Sequence, residues 1–451
     1  MASLNLSLLF SLLITCLLST QPISSSSLYP TQALPTKSGY LPVTLPPSSP
    51  ISSSLFYAFY EAQQPISSLV TTPLLLWLQG GPGCSSMTGN LFELGPWLLS
   101  SNSSYPSLYP NPFSWNRRFG LLFIDNPIGS GFSVAKSTSD IPHDQSTVAS
   151  HLWAVLQSFI ASDASYHSRP FYITGESYAG KYVPSIGYYI LKQNAIVPSS
   201  LRINLMGVAI GNGLTHPVVQ VATHADSAYF TGLINAKQKV YLEILQAEAV
   251  KLTLAEKWNE ASDARATILK FLQNVTGLAT LYDMTKSKPY QTEVLSVFLN
   301  KQEVQEALGV TEKIRWNECS DQVAEAFHQD IMKSTKYMVE ELVRKTRVLL
   351  YQGIYDLRDG VVSTEAWMRE MNWDGLEGFL EAERKVWKVD GELFGYVQRF
   401  RNLSHVVISG AGHLVPADKG SSAQAMIEDW VMQKGLFGSS EEKVVKIKSL
   451  R

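Results

Sequence analysis

The stretch from Arg169 to Gly180 constrains the fold more than any other in the sequence. Phe171, Tyr172 and Ile173 read as part of a buried strand that stops at Gly175, and a helical pattern of small and aromatic residues resumes at Tyr178. Between them stands Ser177. A serine on so sharp a strand-to-helix turn is held in a strained backbone conformation, with its hydroxyl raised above the sheet edge and small neighbours letting the chains pass. The pattern asks for glycine two residues after the serine; here that residue is Ala179, small enough to serve. Taken alone, the stretch fits a nucleophile elbow and an ordinary strand-to-helix loop about equally, so the rest of the chain decides.

Strands of the same kind recur. Leu74–Leu78 and Gly120–Ile124 are continuous apolar runs, as a strand covered on both faces requires, and 205–210 is a third. The first empties into Gln79, Gly80, Gly81, Pro82, Gly83 and Cys84, the second into Asp125, Asn126 and Pro127, the third into Gly211, Asn212 and Gly213. From His143 onward, Val148, Leu152, Val155, Leu156, Phe159 and Ile160 recur at helical spacing. Strand, helix, strand, helix is the parallel α/β pattern. Segments 38–43 and 55–61 read as a hairpin leading in. Between Val218 and Thr276 the buried-strand signal vanishes; Tyr241, Leu242, Ile244, Leu245, Ala249 and Leu252, then Ile268, Leu269 and Leu272, predict amphipathic helices lying over the sheet. Strands return at 348–351 and 406–408, and a helix is expected over about 421–434. The expected organisation is a signal segment (1–25), an α/β domain (26–213 and 300–451) and a helical insertion (214–299) over the active site.

Length and charge narrow the classes. At 451 residues the chain is long enough for two ordinary cores or for one large α/β domain with an insertion, and with 11% aromatic and 17% charged residues it should be globular and ordered. A net charge of −2 provides no basic field for nucleic acid or anionic lipid, and both are excluded as main partners. The first charged side chain is Lys37, and Leu4 to Leu18 is almost wholly apolar. That run is short for a bilayer and matches a secretory signal cleaved between about Thr20 and Ser26, although no basic residue precedes it; an uncleaved anchor is the alternative. Cys16 would leave with the signal, so Cys84 and Cys319 form either the one intrachain bridge or two buried thiols. A bridge would restrict the unfolded chain by roughly 4 to 5 kcal/mol in the entropic model. Asn102, Asn274 and Asn402 stand in N-x-S/T triplets and are candidate glycosylation sites in a secreted chain.

A nucleophilic serine needs a base, and the base an orienting acid. In a parallel α/β sheet of this kind both follow the serine, at the ends of later strands, in the order serine, acid, histidine. The strand at 348–351 runs into Asp356, and that at 406–408 into Gly410, Ala411, Gly412 and His413. There His413 takes the Ser177 proton while Asp356 fixes its tautomer and stabilises the imidazolium. Asp359 is the competing acid; His151, His167, His224 and His328 read as structural. The oxyanion requires two donors already in place: the backbone N–H of Tyr178, and one from the Gly80, Gly81 loop.

Gly-Glu-Ser-Tyr-Ala-Gly at 175–180, Trp-Leu-Gln-Gly-Gly-Pro-Gly-Cys-Ser-Ser at 77–86 and Gly-Ala-Gly-His at 410–413 closely resemble the serine carboxypeptidase family of α/β-hydrolases. So do Asn111, Pro112, Ser114, Trp115 and Asn116, the run 125–133, Gly211-Asn212-Gly213, and Leu299, Asn300, Val304, Ala307 and Leu308. The resemblance implies a mostly parallel central sheet with flanking helices. It also implies a site for the free C-terminal carboxylate of a peptide at Gln79, the Gly80 N–H, Glu93 and Glu176, with Gly81 and Tyr178 as oxyanion donors and Cys84 matching Cys319 in a family bridge. Two glutamates facing an anion share a proton at acid pH and so donate to it; raising the pH ionises the pair and repels the substrate. The chain departs from the family pattern at Gln79, where Asn is usual, at Ile354, where Asp is common, and at Leu414, often Met.

The leading expectation is a secreted or vacuolar/lysosomal carboxypeptidase acting on peptide or protein C-termini through a Ser177 acyl-enzyme, with no metal or cofactor and no membrane contact after signal removal. Two other readings remain: an acyltransferase using sugar-ester donors with the same triad, and a catalytically idle glycoprotein that binds a partner. Monomer and homodimer are both open.

Overall fold

The computed structural model describes residues 28–44, 53–100 and 106–438. The expected signal segment, Asn102 and the tail 441–451 lie outside the described residues.

Ten strands form one sheet. They are β1 (Lys37–Pro42), β2 (Ser54–Tyr60), β3 (Leu74–Leu78), β4 (Gly120–Ile124), β5 (Phe171–Glu176), β6 (Leu205–Gly211), β7 (Arg347–Gly353), β8 (Lys385–Val389), β9 (Glu392–Phe400) and β10 (Leu403–Ile408). Their order is β1-β2-β4-β3-β5-β6-β7-β10-β9-β8. The six central strands, β4 to β10 in that order, run parallel, and the hairpins at either edge are antiparallel. Every residue of β3, β4 and β5 is buried, because helices cover both faces. Period-2 alternation divides β3 between two cores: Leu74, Leu76 and Leu78 face the cluster that includes Val148, Leu152, Ile186 and Leu342, while Leu75 and Trp77 face the one with Trp115, Tyr351 and Trp430. Burying each such leucine contributes about 2 kcal/mol.

The first of these clusters is covered by α1 (Gln145–Ala161) and α2 (Ala179–Asn194). Asp144 caps α1 by accepting from the Thr147 N–H, and the six residues read at helical spacing are all buried. The closing helix α5 (Gly420–Met432) lies on the other face.

Two long helices of the insertion, α3 (Ala236–Leu254) and α4 (Trp258–Thr276), build a third cluster with Leu242, Ala249, Ile268 and Leu272. Not every apolar residue of α3 faces inward. Leu242, Gln246, Ala249 and Thr253 are buried at helical spacing, whereas Ile244 is exposed and Tyr241 packs its half-exposed ring 4.9 Å from Phe271 at the edge of the pair. Counting apolar residues identified the helix but not its inner face. The β8–β9 hairpin was missed altogether, although Asp390 and Gly391, at φ 50° and 84°, form the Asp-Gly turn that best announces such a pair. No helix among the described residues is long and apolar enough to cross a membrane.

Candidate active site

Ser177 sits between β5 and α2 with φ 62°, the left-handed conformation the elbow demands. Its N–H donates to the Gly211 carbonyl at 2.9 Å, and its carbonyl accepts from Leu214 N–H at 3.0 Å, so the strained residue is fixed by the end of the neighbouring strand. Ala179 serves in place of glycine because Gly175 makes the room: a Cβ on Gly175 would lie 2.8 Å from that of Ala179. Gly80 passes over the elbow so closely that a Cβ there would meet the Tyr178 nitrogen at 2.6 Å. The Tyr178 side chain points away, its hydroxyl donating to Asp330 Oδ2 at 2.5 Å, and Gln145 Nε2 donates to the same oxygen at 2.7 Å. Among the described residues no acceptor takes the backbone N–H of Gly81 or Tyr178.

Asp356 and His413 meet where β7 and β10 end. His413 Nδ1 lies 2.7 Å from Asp356 Oδ2, and Asn212 Nδ2 donates to that oxygen at 2.7 Å. Asp356 Oδ1 accepts from the Arg358 N–H at 2.7 Å. The competing acid, Asp359, is placed elsewhere: its N–H supports Asp356 at 3.3 Å, and its carboxylate faces Arg265 of α4 at 3.4 Å. His413 Nε2 is buried and has no hydrogen-bond partner among the described residues, and His413 and Ser177 line the same cavity of about 320 Å³.

Gln79, Gly80, Gly81 and Glu176 line that cavity too, with Glu93 behind them. Trp77 Nε1–H fixes the Gln79 amide by donating to its Oε1 at 2.9 Å. The Gln79 Nε2 then donates to Glu176 Oε1 at 2.8 Å and to Glu93 Oε1 at 3.1 Å. The longer side chain in place of the usual Asn thus spans both glutamates. Burial pushes the Glu93 carboxyl up to about 8, and burial followed by the charge of Glu93 pushes Glu176 well above its ordinary range.

Cys84 and Cys319 are bonded across 235 residues and form part of the cavity wall. Thr88, Thr280, Tyr282, Tyr290, Thr292 and Glu318 line it as well, beside Pro289 and Leu414, and the sequence reading gave none of them a role. Nor did it give a role to Asn212, although a φ of 42° between two glycines at a strand end marks a residue whose placement matters. Asn274 is exposed on α4; Asn402 is half-buried, its Nδ2 donating to the Val343 carbonyl at 2.9 Å.

A family model described as serine carboxypeptidase matches residues 29–433. Serine carboxypeptidase-like 50 of Arabidopsis thaliana is 55% identical over 444 residues, which is 98% of each chain. Probable serine carboxypeptidase CPVL of Homo sapiens is 34% identical, over 85% of this chain and 81% of that protein. The crystal structure of a prohormone-processing carboxypeptidase from Saccharomyces cerevisiae superimposes with a TM-score of 0.79 at 26% identity, covering 88% of this chain and 91% of that one.

Proposed function

The chain belongs to the serine carboxypeptidase family and is a serine-type hydrolase of the α/β-hydrolase fold; from that premise we propose that it releases the C-terminal residue of peptides at acid pH through an acyl-enzyme on Ser177. The observation that carries this reading is the buried carboxyl pair Glu93 and Glu176, held by one amide in the wall of the cavity that Ser177 and His413 share, where burial favours the protonated form. A free α-carboxylate seated there accepts from the Gly80 N–H, from the shared proton and from the Gln79 amide as it turns one N–H away from a glutamate, and brings the last peptide bond to Ser177.

Chemistry then follows from placement. His413 Nε2 removes the Ser177 proton as Oγ attacks the scissile carbonyl carbon, and the Gly81 and Tyr178 N–H groups receive the oxyanion. His413 returns the proton to the leaving nitrogen as the C–N bond breaks. The free amino acid departs, and water, activated by the same imidazole, hydrolyses the ester. Asp356 keeps the Nδ1 proton in place throughout and offsets the imidazolium charge. The apolar segment at Leu4 to Leu18 supports passage through the secretory pathway, and exposed Asn274 is the better placed glycan acceptor of the two described.

Hydrolysis of a blocked dipeptide and of its C-terminal amide at pH 5 tests the reading. The free acid is expected to react about 10- to 150-fold faster, since a charge-assisted hydrogen bond to the carboxylate contributes about 1.5–3 kcal/mol. Turnover of glucose esters with neither peptide cleaved would identify an acyltransferase instead. Failure of a fluorophosphonate to label Ser177 would leave a binding protein.

A further inference from the structure

Both ends of the Asp356–His413 pair are attached to one short segment that the proposed reaction leaves without a role. Residues 281–284, beyond the end of α4 in the insertion, pass between the acid loop and the histidine loop. The Leu357 N–H donates to the Leu281 carbonyl at 3.1 Å, and the Met284 N–H to the Tyr355 carbonyl at 3.1 Å, which fastens the segment to either side of Asp356. The His413 N–H donates to the Tyr282 carbonyl at 2.7 Å, which fastens it to the base. That carbonyl approaches so closely that a Cβ on Gly412 would sit 2.4 Å from it, so the second glycine of Gly-Ala-Gly-His is required by this strap. The side chain of Tyr282 takes part as well: its ring centre is 4.5 Å from that of His413 at 34°, and the Arg358 guanidinium packs over the ring at 5.1 Å.

We propose that Tyr282 is a positioning residue for His413: its ring and its carbonyl together hold the imidazole so that Nε2 faces the Ser177 side of the cavity. The inference rests on the reading of His413 as the base. An imidazole fixed at Nδ1 alone can still pivot about that bond, and a flat ring against its face removes the freedom. Orientation of this kind matters because small displacements of a reacting group cost large factors in rate. Since Tyr282 also lines the cavity, a change there would disturb peptide binding whether or not it positions the base. The test must therefore separate the two.

A small fluorophosphonate does so. Ser177 Oγ forms a bond to phosphorus, fluoride leaves, and His413 accepts the hydroxyl proton; no peptide residue need occupy the cavity. The second-order labelling rate of Tyr282→Leu is expected to fall about tenfold or more, while Tyr282→Phe, which keeps the ring, stays within about twofold of wild type. Tyr282→Met, of similar length without a flat ring, replaces Leu if that variant does not fold, as judged by its melting temperature. A wild-type labelling rate in Tyr282→Leu or Tyr282→Met, with only the peptide KM raised, would make Tyr282 a cavity wall and overturn the proposal. A wild-type protein that neither labels nor cleaves peptide overturns the Ser177 reading itself, and this inference with it.

Discussion

Two sets of buried carboxyls flank one cavity and are built in opposite ways. Asp356 is 6% exposed, and Glu93 and Glu176 are 2% and 0% exposed, so burial does not distinguish them. What differs is the supply of donors. Asp356 gathers the His413 imidazole, the Asn212 amide and the backbone N–H groups of Arg358 and Asp359. Glu93 and Glu176 share a single amide from Gln79, and Oε2 of each has no donor among the described residues. A buried carboxyl with many donors is stabilised as an anion; one that has few and neighbours another carboxyl keeps its proton. In the proposed function the same residue class thus serves as a counter-charge on one side of the cavity and as a hydrogen-bond donor on the other.

The largest expected effect comes from removing the charge at the well-supplied site. Asp356→Asn should lower kcat by about 10⁴ with little change in KM, because the amide stabilises the wrong imidazole tautomer. A fall of less than tenfold would mean that another group orients His413. Asn212→Asp goes further into the comparison by giving Asp356 a carboxyl neighbour like that of the glutamates. The backbone tolerates the change, since aspartate accepts the left-handed φ of 42° at this position. One oxygen can still accept from the Gly353 N–H, now at 3.2 Å from the amide oxygen, but the other would face Asp356 as a like charge at 2.7 Å. We expect kcat to fall about 100-fold at neutral pH and to recover partly in acid, read from the pH–rate profile.

Much of this site was legible in the sequence, for a physical reason. Ser177, Asp356 and His413 each stand where an apolar strand breaks into a turn, and in a parallel sheet such breaks fall on one edge. The β3, β4 and β6 strands were equally plain because continuous apolar runs admit few other structures. Tyr282 and Glu318 were not readable. They come from irregular segments whose course is fixed by backbone hydrogen bonds to distant loops, and such bonds leave no periodicity in the sequence. The inner face of α3 failed for a related reason: with apolar residues around much of the helix, only its packing against α4 and the neighbouring loops selects Leu242 over Ile244.

On the poorly supplied side the effect is smaller and lies in KM. Raising the pH from 5 to 8 brings the pair up to the raised value of Glu93, about 8, where it is half ionised and begins to repel the α-carboxylate; wild-type KM should rise about twofold by pH 8. Glu176→Gln supplies a permanent neutral donor and should flatten that rise. A wild-type KM unchanged across the range would remove the pair from substrate recognition.

The retained proton should also appear in stability, where the sign is unusual for a carboxyl. The folded pair holds its proton well above the unfolded carboxyl value near 4.5, so the folded state binds more protons than the unfolded one between that value and about 8. Its contribution is therefore complete below the unfolded value and is lost as pH rises through the folded value, at about 1 kcal/mol per pH unit for each proton held. His405 acts in the other sense: burial lowers it to about 3, so its stabilisation is present above the unfolded value of 6.5 and is lost only as pH falls. The window in which the glutamates lose protons while His405 is silent is thus pH 6.5 to 7.5, below the value of about 8 to which burial lowers Lys181. Across it, the unfolding free energy of the wild type, from denaturant titrations, should decline while that of the Glu93→Gln, Glu176→Gln double variant stays level. Parallel curves for the two proteins would mean that the pair is already ionised at pH 6.5, and the contrast with Asp356 would collapse.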